Sequence, residues 1–294
     1  MQRLASQGLL LCAMLAPVLL VAPLAARTPQ AEAALARARA GDIDRAVELA
    51  ETATQAAPRD ADAWFVQGQI LCSQAQSGSK LKALGRARHC RDAFVQAVAL
   101  DPLSFDANVG LMQFFLQAPG IAGGDDDKGN AVIAATRVRA PALHAFLEGL
   151  KASMAKDLKT TEQQYLRAVQ LAPDEARYRS SLVAGYTSQK RYADAFGTVD
   201  AGLARKPEDV LLRFQLARTA AISGQRLDES LAHLDALAAQ ASLPPTVSRA
   251  GIAFRRGMIL AKLGRTSEAR VAYAAARRFD ARLAGEIDPE LAKL

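Results

Sequence analysis

The chain has 294 residues, of which 50% are hydrophobic and only 5% aromatic, and its formal net charge is +7 at pH 7. Alanine supplies much of the apolar content and β-branched runs are scarce, so the composition favours tightly packed helices over strands. The positive charge is spread along many segments, which is typical of a solvated surface and argues against a nucleic-acid partner.

The N-terminus differs from the rest of the chain. Its first 26 residues contain one arginine, followed by the apolar run "LLLCAMLAPVLLVAPLAA", which ends in small residues. This layout predicts a secretory signal peptide cleaved after Ala26, and hence a periplasmic protein. Pro17 and Pro23 disfavour a membrane-spanning helix, and the residue before Cys12 is too large for a lipoprotein signal. A leader retained as a membrane anchor is the alternative.

A spacing of 34 residues recurs after the leader: it separates Pro173 from Pro207, and Leu182 from Leu216. The segment "RRGMILAKLGRTSEARVAYAAARRFDA" places small and aromatic residues in the same order as the earlier copies. These spacings resemble the tetratricopeptide repeat, which has small residues at positions 8 and 20, an aromatic residue at 24 and proline near 32. In this family each repeat is a pair of helices, A and B, and the residues at positions 8 and 20 are expected to face each other.

The resemblance implies an all-α, right-handed superhelical solenoid of antiparallel helix pairs, because one pair cannot bury its apolar face alone. About seven units are expected over residues 27–283, with a C-terminal cap over residues 284–294. In that cap, Asp288 is expected to be the N-cap of a short helix and Pro289 its first residue. Units two and three carry insertions between their two helices.

The insertion in unit three reads "APGIAGGDDDKG". It lacks the GK[ST] of a phosphate-binding loop, since Lys128 is followed by Gly129. It also lacks the ligand spacing of an EF-hand counted from Asp125. We therefore expect a turn in which the aspartates cap the following helix, with a calcium site of another kind as the alternative.

The insertion in unit two is basic, and corners on the same side of stacked repeats are neighbours. We hypothesise that this basic segment packs near the three aspartates of unit three; two independently solvated corners are the alternative. The cations of the segment are Lys80, Lys82, Arg86, Arg88 and Arg91.

No catalytic or metal-binding pattern stands out. The three histidines, His89, His144 and His233, fall in different units, which disfavours a metal site. Beyond the leader the chain has two cysteines, outside any CxxC motif. The expected register places Gly68, rather than Cys72, opposite Cys90, so a disulfide is possible but not favoured. We expect no enzyme activity, no cofactor and no bound metal.

The resemblance implies that helix A lines the concave face, with positions 2, 5, 9, 12 and 13 pointing into the groove. An apolar groove of this kind suits a helix or an extended peptide. The Lys and Asn of the family's carboxylate clamp are missing from positions 5 and 9. The predicted groove residues are Phe65, Val109, Phe146, Leu150, Met154, Phe214, Arg218, Phe254 and Met258.

The alternative for the phenylalanines is that they belong to the core. The predicted function is an exported, non-enzymatic scaffold that binds a protein or peptide partner. Two alternatives are a membrane-associated assembly factor of an envelope complex and a small-ligand or metal-binding protein that uses the inserted corners.

Overall fold

The computed structural model describes residues 27–75 and 80–294, and the predicted leader lies outside the described residues. Within the described ranges the chain consists of helices and the turns that join them, without strands. None of these helices combines the length and the apolar character needed to cross a membrane.

The helices alternate between two layers. The first helices of the pairs are α1 (Pro29–Arg39), α3 (Ala61–Ala75), α5 (Phe105–Gln117), α7 (Pro141–Met154), α9 (Ala176–Ser188), α11 (Val210–Ser223) and α13 (Arg249–Lys262). The second helices are α2 (Ile43–Ala56), α4 (Lys80–Leu100), α6 (Asp126–Thr136), α8 (Leu158–Leu171), α10 (Tyr192–Leu203), α12 (Leu227–Ala238) and α14 (Thr266–Phe279). Each first helix packs on the second helix that follows it, and α15 (Ala284–Leu291) closes the array. The predicted all-α solenoid of antiparallel helix pairs is confirmed.

The corners between the two helices in units one and four to seven share one backbone feature. The residue that leaves the first helix adopts a left-handed conformation, with φ of +74° at Gly264 and +79° at Gly224. Lys156 and Lys190 take the same conformation at the equivalent corners, with φ of 61° and 59°. Left-handed backbone reverses the chain within one residue, and only glycine adopts it without steric penalty.

The pairing of residues within each helix pair differs from the expected register. A Cβ on Gly257 would lie 2.6 Å from the ring of Tyr273, and one on Gly149 would lie 2.6 Å from the ring of Tyr165. Position 8 therefore faces position 24, rather than position 20. Because the two helices run in opposite directions, a residue four positions later in the first helix faces a residue four positions earlier in the second. Position 12 therefore faces position 20.

The corrected register explains the cysteines. Gly68 lies against the ring of Phe94, and Cys72 forms a disulfide with Cys90 across a Cα–Cα distance of 5.2 Å. The expectation that Gly68 would lie opposite Cys90 is wrong, because it paired position 8 with position 20. The disulfide joins α3 to α4 at the base of the unit-two insertion.

The unit-three corner is a turn followed by a capped helix. Helix α5 ends before Pro119, and a short 3₁₀ turn follows over Gly120–Ala122. Asp125 is the N-cap of α6, and its side chain accepts a hydrogen bond from the Lys128 amide at 3.1 Å. The aspartates therefore begin a helix, as the sequence predicts.

The helix of the C-terminal cap begins before the expected N-cap residue. Helix α15 starts at Ala284, so Pro289 lies inside it and Asp288 is not its N-cap. Instead, the Asp288 carboxylate accepts from Arg277 of α14 at 2.9 Å. The fully buried side chain of Ile287 anchors this helix, which explains why it must start a turn before that residue.

Candidate functional site

The first helices of successive pairs contact one another. Such contacts join α1 to α3, α3 to α5, α5 to α7, α9 to α11 and α11 to α13. These helices form one layer, and the second helices pack outside it. The face of the first helices that points away from the second helices is the concave face, on which the groove residues are predicted to lie.

Two of the predicted groove residues lie in the core. Phe146 and Phe254 are only 4% and 5% exposed. The Phe146 ring stacks on Tyr165 at a centroid distance of 5.2 Å, and the Phe254 ring lies 5.9 Å from that of Tyr273. These two side chains fill seams between helices, so the structure places them with the core alternative rather than on an open surface.

The other seven predicted groove residues are half-buried. They follow the inner layer from unit two to unit seven, and the row is mainly apolar. They are Phe65, Val109, Leu150, Met154, Phe214, Arg218 and Met258.

Polar hydrogen bonds connect neighbouring inner helices along the same face. The Gln215 amide donates to the Ser180 hydroxyl at 2.6 Å, and the hydroxyls of Thr187 and Thr219 lie 3.1 Å apart. These bonds fix α9 against α11. The concave face is therefore held rigidly at its centre.

A charged row lies at the N-terminal ends of the inner helices. Arg27 donates two hydrogen bonds to Asp62, at 2.6 and 2.9 Å. Arg177 lies 3.8 Å from Asp106 and stacks over the ring of Phe105, the residue before it. Burial raises the pKa of Asp106, and the nearby Arg177 opposes that rise. These pairs join the segment before α1 to the start of α3, and the start of α9 to that of α5.

The two ends of the array come together at the concave face of unit two. A cleft of about 410 Å³ is lined by Phe65 and Gln69 of α3 and by residues of α1. Its opposite wall is formed by Pro245 and Thr246, from the loop between α12 and α13, and by Arg282. The loop between α12 and α13 therefore lies across a cleft from the inner face of units one and two.

The inserted corners are adjacent, and Arg91 and Asp125 each form an ion pair within their own corner. Gly123 sits against Arg91, because a Cβ added there would lie 2.9 Å from an Arg91 guanidinium nitrogen. Arg91 forms its ion pair with Asp92 at 2.7 Å, and Asp125 forms one with Lys128 at 3.0 Å. The side chains of residues 80–82 lie outside the described ones.

The titratable side chains do not assemble a metal site within the described ranges. A ring nitrogen of His144 lies 3.0 Å from the Ile133 carbonyl oxygen. Burial lowers the pKa of His233, and the charge of Arg213 lowers it further. His144 on α7 and His233 on α12 therefore lie in separate units.

Comparison with known proteins agrees with this architecture. Residues 31–79 match the family model described as Tetratricopeptide repeat. The chain is therefore similar to tetratricopeptide repeat proteins over these residues. Repeats of this kind generally form non-enzymatic scaffolds for protein–protein interaction. No curated protein matches the sequence.

The chain is also similar, at low identity, to solved structures that include two tetratricopeptide repeat proteins. One from Parabacteroides merdae is 13% identical, with a TM-score of 0.49, over 89% of this chain and 96% of its own. One from Thermus thermophilus is 22% identical, with a TM-score of 0.42, over 67% of this chain and 98% of its own. A chain of the APC/C Cut9–Hcn1 hetero-tetramer is 10% identical, with a TM-score of 0.49, over 89% of this chain and 54% of its own.

Proposed function

We propose that this tetratricopeptide repeat protein is an exported, non-enzymatic scaffold that binds a segment of a protein partner on its concave face. The observation that carries the proposal is the row of half-buried apolar side chains along the inner helices. Leu150 and Met154 of α7, and Met258 of α13, belong to this row. Half-buried apolar surface in a concave groove suits the apolar side chains of a helix or an extended peptide, and methionine adapts to varied shapes.

The composition of the leader and the disulfide support export. Disulfides form and persist in oxidising compartments such as the periplasm and are rare in the cytosol. Cys72 and Cys90 are joined in the structure. A cytosolic location would leave both thiols reduced, so mass measurement of the protein from a Gram-negative host tests the proposal. We expect an N-terminus at Arg27 and a mass two hydrogens below that of the reduced chain; an intact leader with free thiols contradicts export.

Photo-cross-linking tests the binding face. A photoreactive phenylalanine analogue is placed at Leu150 or Met258 on the concave face, or at Val271 on the outer helix α14. Val271 is 65% exposed and therefore reports contacts of the outer surface. We expect one partner band from both concave positions and none from the outer one. Cross-links from Val271 alone would move the binding site to the outer surface.

Substitution provides a matched test of affinity. The variant L150Q/M154Q/M258Q makes the concave row polar, and the control L158Q/L166Q/V271Q makes an equal number of changes on the outer helices α8 and α14. The outer residues are 38–65% exposed. We expect only the concave variant to lose the cross-linked partner, while both remain helical by circular dichroism. Phe146 and Phe254 are unsuitable for this test, because changing a buried ring removes core packing.

A further inference from the structure

Two arginines face each other on the concave side of α11 and α13. The ring of Phe214 lies at Gly251, where an added Cβ would be 3.2 Å from its Cζ atom. One helical turn further along each helix come Arg218 and Arg255. Helices α11 and α13 are in contact, and the charge of Arg218 acts on Arg255. The two guanidinium groups are therefore near enough to repel each other electrostatically.

Neither guanidinium has an anionic partner within residues 27–75 and 80–294. Arg255 donates to the Met258 sulfur at 3.0 Å and lies over the Phe254 ring at 4.8 Å. A thioether is a weak acceptor, and a guanidinium has five N–H donors. No hydrogen bond or ion pair of Arg218 is found in the same ranges. By contrast Arg256, the next residue of α13, bonds Asp235 at 2.7 Å.

This arrangement is unfavourable in the free protein. Burial lowers the pKa of Arg255, and the positive charge of Arg218 lowers it further. Glu286 opposes this effect electrostatically but forms no ion pair with Arg255 in the described part of the chain. A desolvated cation next to a like charge is expected to be paired with an anion. The missing anion is the feature to be explained.

We propose that Arg218 and Arg255 form a receptor for a carboxylate side chain of the bound partner. The inference rests on the proposed concave binding face and specifies what it recognises. The planar fork of arginine binds carboxylates through paired hydrogen bonds, which makes it suited to this role. Phe214 and Met258 flank the pair, so the acidic residue of the partner lies among apolar ones. The receptor residues are not the Lys and Asn of the family's carboxylate clamp.

Peptide libraries provide the test, with the full-length protein and three sets of nonapeptides. The first set has blocked ends and a central Glu among random Leu, Phe, Met and Ala. The second replaces that Glu by Gln, and the third keeps the Gln but has a free C-terminal carboxylate. Fluorescence anisotropy measures the binding of each set. We expect the Glu set to bind roughly tenfold or more tightly than the blocked Gln set, as charged hydrogen bonds generally imply.

Variants assign the effect to the arginines. R218Q/R255Q is compared with R270Q/R278Q, which removes two exposed arginines from the outer helix α14 and changes the net charge equally. We expect only R218Q/R255Q to abolish the preference for Glu over Gln. R218K/R255K keeps the charge but loses the fork, so it should retain a smaller preference. The free R218Q/R255Q protein should melt no lower than wild type, because a structural ion pair is not being broken.

The outcomes separate the two proposals. Equal binding of the blocked Glu and Gln sets, or equal loss in both double variants, overturns the receptor and leaves the concave groove in place. Failure of every set to bind overturns the groove and the receptor together. Tight binding of the third set alone shows that the carboxylate comes from a chain end, which overturns the assignment to an acidic side chain.

Discussion

The contact between Gly257 and Tyr273 provides a sharp test of the helix register. Replacing Gly257 by alanine would place a Cβ 2.6 Å from two ring carbons of Tyr273 and 3.0 Å from a third. Tyr273 is fully buried, and its ring packs 5.9 Å from that of Phe254. The ring therefore cannot move aside without disturbing the core between α13 and α14.

Two opposing effects set the size of the change. Inserting a methyl group into a packed core costs about 1–3 kcal/mol, and this close contact places the cost in the upper part of that range. Alanine also favours a helix over glycine by about 1 kcal/mol. The net expectation for G257A is a loss of about 1–2 kcal/mol in the free energy of unfolding.

A second glycine provides the control. Gly197 lies inside α10, is exposed, and has no atom within 4 Å of the position that its Cβ would take. G197A should therefore stabilise the protein by about 0.5–1 kcal/mol. Urea unfolding and hydrogen exchange of the affected helices measure both variants, because repeats can unfold separately. If G257A stabilises the protein as G197A does, position 8 does not face position 24 and the register is wrong.

Three further predictions concern the units individually. C72A/C90A removes a disulfide that spans 18 residues of sequence. The lost constraint on the unfolded chain should lower the free energy of unfolding of this unit by about 3 kcal/mol. Unchanged hydrogen exchange in α3 and α4 would contradict this expectation. D125A should speed exchange at the start of α6 while D125N, which keeps an acceptor oxygen, does not; equal exchange in both refutes the cap. The hydrogen bond from Arg191 lowers the pKa of Glu162. The contribution of this pair to stability is therefore fully present above the usual glutamate pKa of about 4.3 and is lost as the pH falls through the lowered pKa. E162Q should flatten this acid dependence in urea titrations.

The periodicity of the sequence predicts the helix pairs well because each pair repeats the same local requirements. Pro173 and Pro207 each follow the end of a second helix, and a left-handed residue reverses the chain at the corners of units one and four to seven. The partners of individual positions are harder to predict, since they depend on how far two helices slide along each other. A shift of one helical turn between α3 and α4 changes the partner of Gly68 from Cys90 to Phe94 and places Cys72 opposite Cys90.

The candidate site could be predicted only in part for a related reason. Position in the repeat indicates which side of a helix points inward, but not how closely the next unit packs. Phe146 and Phe254 are covered by that packing, whereas Met258 remains half-buried. Arg255 was missed because position 6 is not among the groove positions used for the prediction. Arg218 follows Phe214 by four residues, and Arg255 follows Gly251 by four residues. Once Gly251 is placed against Phe214, this spacing puts the two arginines side by side.

Closure of the array limits the length of the segment that the concave face can bind. The loop between α12 and α13 faces the inner side of α3 and the start of α5 across the cleft, so the part of the row on the inner helices from α7 to α13 is the open stretch. Neighbouring packed helices lie about 8–10 Å apart, so three intervals span roughly 30 Å. An extended peptide covers that distance with about nine residues, at about 3.3 Å per residue. Affinity for blocked Glu peptides should therefore rise up to about nine residues and then level off. A steady rise to twice that length would show that the ligand also occupies the face of units one and two, and would contradict the closed cleft.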